Sequence, residues 1–246
     1  MLAQRIMMML YTKIQRVCRS FGFEVLIRRP PHFRLILGNH VQLRGDYVNW
    51  VRVPMYLSIC KALDSLGESY WKGKNVIEIG GSEGTIAKFL KAEGCNYTAA
   101  PPFPLIDVES LPYDDSSFDG VVVDQVMEHV KHPWLAAREI QRILKPGGIC
   151  VCTSVFMYPY HSWNTEGYDD YYRFSPAAWK VLFDSCRVIS SEGWGNADLM
   201  RLAYESSDLG FEGLPRLPVP QLMKTRMYSK ADNLNYITTW CIVKKQ

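Results

Sequence analysis

The sequence lacks any run of about 18 apolar residues, which is the length that a membrane-spanning helix needs. Its N-terminal apolar run, residues 6–11, is shorter than the core of a secretory signal and has no small-residue cleavage site. Low-complexity tracts and internal repeats are also missing, and the net charge is only +3. These absences argue against a membrane-spanning protein or a repeat protein, and we expect no nucleic-acid partner.

Cysteine is present without the spacing of a metal or disulfide framework. The seven cysteines are odd in number and include no C-x-x-C pair, so the sequence predicts no metal site. Cys150 and Cys152 stand two apart on a predicted strand and should point to the same face. We therefore expect reduced, buried thiols, which indicates a cytoplasmic compartment.

The N-terminal part of the chain is basic and has a helical pattern. Residues 2–20 carry apolar side chains at helical spacing, and residues 47–70 form a second helical stretch. The first helix could pack on its own domain, which we favour, or contact an anionic membrane surface or a protein partner. We expect an N-terminal helical extension over residues 1–70, ahead of a main domain over residues 71–246.

The main domain alternates predicted strands with predicted helices. The run Gly120-Val121-Val122-Val123 is typical of a parallel strand that is covered on both faces. Ser175-Pro176 offers an N-cap followed by a proline, the usual opening of a helix. This alternation predicts an α/β fold with a Rossmann-like doubly wound sheet. Its predicted strands are 76–79, 97–100, 120–123, 149–154 and 236–243, and its predicted helices start near 85, 133 and 176.

A glycine-rich turn joins the first of these strands to the following helix. Gly80, Gly81 and Gly84 let the backbone approach a ligand and leave helix N-terminal amides free to bind polar groups. Taken alone, such a turn also fits a dinucleotide-binding enzyme or a purely structural turn.

The segments that follow the turn indicate which class of protein it belongs to. The four segments, in chain order, are VIEIGGSEG (76–84), LPYDDSSFD (111–119), QVMEHV (125–130) and RILKPGG (142–148). They resemble the four motifs of the class I S-adenosylmethionine-dependent methyltransferases, and the chain looks closest to the type-11 branch. The resemblance covers roughly residues 70–190 and implies S-adenosylmethionine as the cofactor.

The resemblance also implies roles for single residues. The glycine turn should pass beneath the methionine part of the cofactor, and Glu78 should hold its ammonium group. Asp107 should accept a hydrogen bond from the adenine amino group. Glu128 and His129 are expected to brace the loop and helix rather than to catalyse. The implied cofactor-binding residues are Glu78, Gly80, Gly81, Ser82, Gly84, Asp107, Val108, Asp124 and Gln125.

The sequence departs from the family pattern at two places. Ser82 replaces the middle glycine of the turn, and no acidic residue ends the second strand, where the family binds both ribose hydroxyls. Pro101-Pro102-Phe103-Pro104 leads almost directly to Asp107, so the region between the second and third strands should be reduced. The ribose must then be held by Glu83 or by backbone groups.

The loop after Ser154 is the expected acceptor side, because ligands in this fold meet the carboxyl ends of the strands. It resembles the "PIH…DYWRF" signature of a methyltransferase subgroup. His161 is a candidate general base or a bracing residue. Arg173 could bind an acceptor anion or pair with Asp169 or Asp170. Three aromatic residues could line an acceptor ring or serve only in packing: Tyr160, Trp163 and Tyr172.

The sequence therefore predicts an enzyme that methylates a small molecule. We expect O-methylation of a sugar or another hydroxylated metabolite, with His161, Tyr172 and Arg173 as catalytic candidates. Residues 197–234 form a long connection that could cap the acceptor pocket or form an interface. The alternative is a cofactor-binding or scaffold protein without catalytic activity.

Overall fold

The computed structural model describes residues 23–27, 33–37, 41–45, 52–67, 69–81, 84–162, 168–198, 200, 232 and 234–246. Several expectations lie outside these residues: the helix over 2–20, the positions of Ser82, Glu83 and Trp163, and residues 201–231 of the long connection. Within the described residues, no helix is both long and apolar enough to span a bilayer.

The described chain contains nine strands, four α-helices and one 3-10 turn at Met127–His129. The helices are α1 (Val53–Asp64), α2 (Thr85–Ala92), α3 (Pro133–Ile143) and α4 (Pro176–Leu182). The strands are β1 (Phe23–Ile27), β2 (Phe33–Leu37), β3 (Val41–Gly45), β4 (Asn75–Glu78), β5 (Asn96–Ala99), β6 (Phe118–Asp124), β7 (Leu144–Val155), β8 (Cys186–Trp194) and β9 (Thr238–Lys245).

The N-terminal region corrects one expectation. Helix is present at α1, but β1, β2 and β3 form a three-stranded antiparallel sheet inside the 1–70 region, for which we expected only helices. The reason lies in their composition, because these five-residue segments are rich in Val, Ile, Leu and Phe, which suit extended backbone. Connections of only five and three residues between them also favour antiparallel neighbours.

The main sheet has six strands in the order β5-β4-β6-β7-β9-β8. Strands β5, β4, β6 and β7 run parallel, whereas β9 pairs antiparallel with both β7 and β8. Helices lie on both faces, as the alternating burial of β6 shows. Val122 belongs to the core cluster beneath α1 and α2, and Val121 and Val123 belong to the cluster beneath α3 and α4. The predicted doubly wound sheet is confirmed.

Three local predictions are also confirmed. Residues 100–117 are all described and contain no helix or strand, so the region after β5 is reduced as the sequence indicated. Ser175 caps α4, where its Oγ accepts a hydrogen bond of 3.1 Å from the Ala178 amide. Cys150 and Cys152 lie on one face of β7 with their sulfurs 3.5 Å apart, and neither is in a disulfide.

Candidate functional site

The glycine turn lies over the carboxylate of Glu78. Glu78 ends β4 with 2% of its surface exposed, and its Oε2 accepts a hydrogen bond of 2.8 Å from the Tyr97 hydroxyl. Gly80 has a φ of +70°. A Cβ atom built on Gly81 would lie 1.9 Å from the Glu78 carboxyl carbon, so only glycine fits above this side chain.

A second carboxylate reaches the same place from the neighbouring strand. Asp124 ends β6, and its Oδ2 accepts a hydrogen bond of 2.9 Å from the Tyr56 hydroxyl of α1. A Cβ on Gly84, the N-cap residue of α2, would lie 3.4 Å from Asp124 Oδ2 and 3.9 Å from Glu78 Oε1. Burial and the nearby Asp124 carboxylate raise the pKa of Tyr56 well above its ordinary value, so Tyr56 remains a hydrogen-bond donor.

Gln125 follows Asp124 with a φ of +60°. Its side-chain amide nitrogen donates to Thr153 Oγ1 at 2.8 Å, which fixes the side chain at the end of β7. Its buried Oε1 accepts no hydrogen bond from the described residues. A buried acceptor in this position fits a ligand that carries a donor group, such as an ammonium.

A cavity of about 220 Å³ borders the glycine turn at Gly80. Ile79 and Val108 form apolar walls, and Asp107 lies in the wall next to them. An apolar slot with a carboxylate fits a flat ring that carries an amino group. The lining residues are Ile79, Gly80, Phe103, Ile106, Asp107, Val108, Glu109, Val126, His129, Val130, Lys131, His132 and Tyr168.

These features together fit S-adenosylmethionine. Glu78 and Asp124 match the ammonium of its methionine part, and the cavity at Asp107 matches its adenine. Between these positions the turn at Gly80 and Gly81 presents backbone without side chains, so a ligand can pass close to it.

On the acceptor side, Asp170 organises the residues that the sequence analysis singled out. Its side chain is 0% exposed and forms an ion pair with both terminal nitrogens of the Arg173 guanidinium. Its Oδ2 also lies 3.0 Å from Nδ1 of His161. Burial alone would raise the pKa of Asp170, but Arg173 and the His161 amide hold it at about 2. Arg173 was expected either to bind an acceptor anion or to pair with Asp169 or Asp170. In the structure it pairs with Asp170.

Of the three aromatic residues expected as an acceptor wall, the two described ones, Tyr160 and Tyr172, make no ring contact with each other. The Tyr160 side chain is 70% exposed, the Tyr172 hydroxyl donates to the Lys131 carbonyl at 3.1 Å, and Trp163 lies outside the described residues. His161 instead packs edge-on against His129, at 4.8 Å between ring centroids, and Tyr168 stacks on His129 at 4.3 Å.

Glu128 is fully buried next to this aromatic cluster. Burial raises the pKa of its carboxyl to about 7, against the opposing effects of its local backbone amides and of the Arg52 guanidinium. The backbone carbonyl of Glu128 accepts hydrogen bonds from the Tyr171 and Tyr172 amides at 2.8 and 3.2 Å, so the main chain at this residue braces the loop after β7.

Sequence reasoning missed three residues of the site: Arg52, Tyr56 and Tyr97. Tyr56 comes from α1 and Arg52 is the N-cap residue of that helix. Tyr56 is 68 residues from its partner Asp124. Nothing in the sequence pattern joins residues at such separations, since only the packing of α1 and β5 against β4 and β6 brings them together.

Comparisons with known proteins agree with this fold. Residues 62–152 match a family model described as a methyltransferase domain. An uncharacterized methyltransferase from Mycobacterium sp. (strain KMS) is 29% identical over 105 residues, which cover 36% of this chain and 42% of that protein. A ubiquinone/menaquinone biosynthesis C-methyltransferase from Cellvibrio japonicus is 30% identical over 113 residues, which cover 44% of this chain and 45% of that protein. The chain thus spans less than half the length of these curated relatives.

A solved structure shares the fold over most of the chain. It is that of a candidate sarcosine dimethylglycine methyltransferase from Galdieria sulphuraria, with a TM-score of 0.50 and 11% identity over 79% of this chain and 86% of that one. The six-stranded sheet and the glycine turn define a Rossmann-like α/β domain. The match of residues 62–152 to the methyltransferase-domain model supports a class I S-adenosylmethionine-dependent methyltransferase.

Proposed function

We propose that this protein transfers a methyl group from S-adenosylmethionine to a hydroxyl oxygen of a small molecule, such as a sugar or another hydroxylated metabolite. The observation that carries the proposal is the cavity that runs from Asp107 and Gly80 to His129 and Tyr168. It joins the side that fits adenine to the side on which we expect the acceptor.

In this proposal the cofactor-binding residues mainly orient the cofactor relative to the acceptor. When bound, S-adenosylmethionine supplies an electrophilic methyl group on a positively charged sulfur. Glu78 and Asp124 hold the ammonium, and Asp107 accepts a hydrogen bond from the adenine amino group. The backbone at Gly80 and Gly81 fixes the height of the ligand above β4. Transfer is an in-line displacement, so alignment with the acceptor oxygen supplies much of the rate.

The acceptor hydroxyl must lose its proton as the new bond forms, and we assign His161 to this step. Nδ1 of His161 lies next to the Pro159 carbonyl and the Asp170 carboxylate, which leaves Nε2 for the acceptor side. Arg173 acts through Asp170 in this scheme rather than by binding the acceptor. Tyr172, held by the Lys131 carbonyl, serves to position the loop.

Calorimetry with S-adenosylmethionine tests the cofactor site. Asp107→Ala should weaken binding by about tenfold, the effect of one lost hydrogen bond of about 1.4 kcal/mol. Asp114→Ala is the matched control, since Asp114 is an exposed acid on the same connection between β5 and β6. Equal affinity of the two variants would contradict the placement of adenine at Asp107.

Turnover tests the activity itself. Purified protein should consume S-adenosylmethionine in the presence of a panel of sugars and phenols, and a quinol belongs in the panel because the relative from Cellvibrio japonicus is a C-methyltransferase. Tight cofactor binding without turnover on any acceptor would favour the alternative, a cofactor-binding protein without catalysis.

A further inference from the structure

We propose that Glu128, His129 and His161 bind one divalent transition-metal ion, of the class that includes Zn²⁺ and Fe²⁺. Each of the three residues offers one ligand atom, and these atoms lie within 4.8 Å of one another. Two of the residues are buried and His161 is half-buried. The residues come from the 3-10 turn after β6 and from the loop after β7, so the sheet itself brings them together.

The donor set suits such an ion. Two imidazole nitrogens and one carboxylate oxygen bind Zn²⁺ at about 2.1 Å, which puts neighbouring ligand atoms about 3–3.5 Å apart. The three atoms therefore need to approach one another by no more than about 1–2 Å, on the scale of side-chain rotation. Two imidazoles and one carboxylate also leave coordination positions open.

Both histidines are oriented as metal ligands are. Nδ1 of His129 lies 2.8 Å from the Asp169 carbonyl, and Nδ1 of His161 lies 3.0 Å from the Asp170 carboxylate. A ligating histidine typically uses one nitrogen for the metal while the other donates to a carbonyl or a carboxylate. Nδ1 of His161 also has the Pro159 carbonyl as a hydrogen-bond partner at 3.2 Å, so both Nδ1 atoms face oxygen acceptors and both Nε2 atoms are left for a ligand.

The third ligand is a buried carboxylate that accepts no hydrogen bond from the described residues, although the Arg52 charge and nearby backbone amides act on it. Glu128 is 0% exposed, and neither of its carboxylate oxygens accepts a hydrogen bond from the described residues. The nearby Ser154 hydroxyl donates instead to the Val155 carbonyl at 3.0 Å. The Arg52 guanidinium attracts Glu128 but makes no such hydrogen bond to it. Burying a carboxylate in this way is costly, and a bound cation would remove the cost.

The position of the ion would serve the acceptor. His129 lines the cavity that also contains Gly80 and Asp107, so open coordination positions there would be within reach of a ligand. An acceptor hydroxyl that coordinates the ion loses its proton to solvent more readily. This second step rests on the proposed function, whereas metal binding itself does not. His161 would then assist proton loss as a ligand rather than as the base.

Titration with Zn²⁺ alone, against a chromophoric chelator and after treatment of the protein with EDTA, tests the site. We expect about one equivalent per chain, and a loss of affinity of about 100-fold or more in His129→Asn and in His161→Asn. His132→Asn is the matched control, because His132 lies nearby but pairs with Glu109 at 2.7 Å. Melting curves with and without Zn²⁺ should show stabilisation of the wild type and of the control only.

Co²⁺ provides a second readout that distinguishes this site from adventitious binding to cysteine. Binding to nitrogen and oxygen ligands gives d–d bands without the thiolate charge-transfer band that cysteine ligation produces. No binding, a thiolate band, or equal affinity in His161→Asn would overturn the metal site. If EDTA-treated protein still binds S-adenosylmethionine and turns over, the proposed function stands without the metal. If Zn²⁺ binds at this site but S-adenosylmethionine does not, the proposed function fails and the metal site stands.

Discussion

The Tyr97 hydroxyl and the buried Glu78 carboxylate form a hydrogen bond of 2.8 Å between neighbouring parallel strands. Tyr97 belongs to β5, the strand that carries no acid at its end, and it reaches back to the carboxylate of β4. Burial and the Glu78 charge raise the pKa of Tyr97, so it stays protonated and donates at any working pH.

Tyr97→Phe removes the donor from this pair. We expect a loss of about 1–3 kcal/mol in the free energy of unfolding, because a buried charged acceptor loses a partner. Binding of S-adenosylmethionine should weaken as well, since Glu78 is held less firmly. Denaturation in urea and calorimetry measure the two effects. Tyr70→Phe is the control, since the Tyr70 hydroxyl makes no hydrogen bond within the described structure.

Gly81→Ala tests the contact between the glycine turn and Glu78. The new methyl group would lie 1.9 Å from the Glu78 carboxyl carbon, so either the turn or the carboxylate must move. We expect cofactor binding to be lost and stability to fall by about 1–3 kcal/mol, as in other overpacked sites. Gly73→Ala should leave cofactor binding unchanged, because Gly73 has a φ of +72° but no atom within 4 Å of an added Cβ. Tight binding by Gly81→Ala would refute a ligand path over this turn.

His161→Ala should lower turnover by about 100-fold or more while the affinity for S-adenosylmethionine stays within about twofold. The reason is that His161 lies on the acceptor side, away from Glu78 and Asp107. Steady-state kinetics and calorimetry on one preparation give both numbers. Unchanged turnover would show that His161 acts neither as the general base nor as a metal ligand in the reaction.

Stability should depend on pH through Glu139 and Arg142. Arg142 donates to both carboxylate oxygens of Glu139 at 2.8 Å, which lowers the pKa of that carboxyl in the folded protein. The resulting stabilisation is fully present above the unfolded-state pKa of about 4.3 and is lost as the pH falls through the lower folded-state pKa. Glu139→Gln should therefore show a shallower loss of unfolding free energy between about pH 5 and pH 3.

Thermal melts over that pH range check this expectation. Glu93→Gln, at the C-terminal end of α2, is the control, since Glu93 forms no ion pair among the described residues. If the stability of Glu139→Gln fell with pH in parallel with that of the wild type, the pH dependence would not come from Glu139. The bonds of Arg142 to the Leu111 and Tyr113 carbonyls, at 2.9 and 2.7 Å, remain in both proteins.

The sequence predicted the sheet better than the surroundings of the site. Strands such as β6 are continuous apolar runs, and burial on both faces of a parallel sheet requires that composition. The three N-terminal strands lie between the two predicted helical stretches, 2–20 and 47–70, and the sequence analysis assigned no strand to that interval.

The positions of residues that belong to a sequence motif were also predictable. Contacts between residues far apart in the sequence were not. Glu78 and Asp124 are the last residues of parallel strands, so the sequence placed both at the same edge of the sheet. The links from Tyr56 to Asp124 and from His129 to the Asp169 carbonyl join residues 68 and 40 positions apart. Likewise, the absence of any C-x-x-C pair gave no sign that Glu128, His129 and His161 would converge.

The insertion of β9 between β7 and β8 has a consequence for how the chain folds. Ile149 pairs with Lys244, so this part of the sheet closes only through a contact between residues 95 positions apart in sequence, a separation that slows folding. Until β9 arrives, β7 and β8 each expose an unpaired edge that can recruit foreign strands. The period between synthesis of residue 194 and docking of residue 238 is therefore the one in which a nascent chain is most exposed to aggregation and most dependent on chaperones.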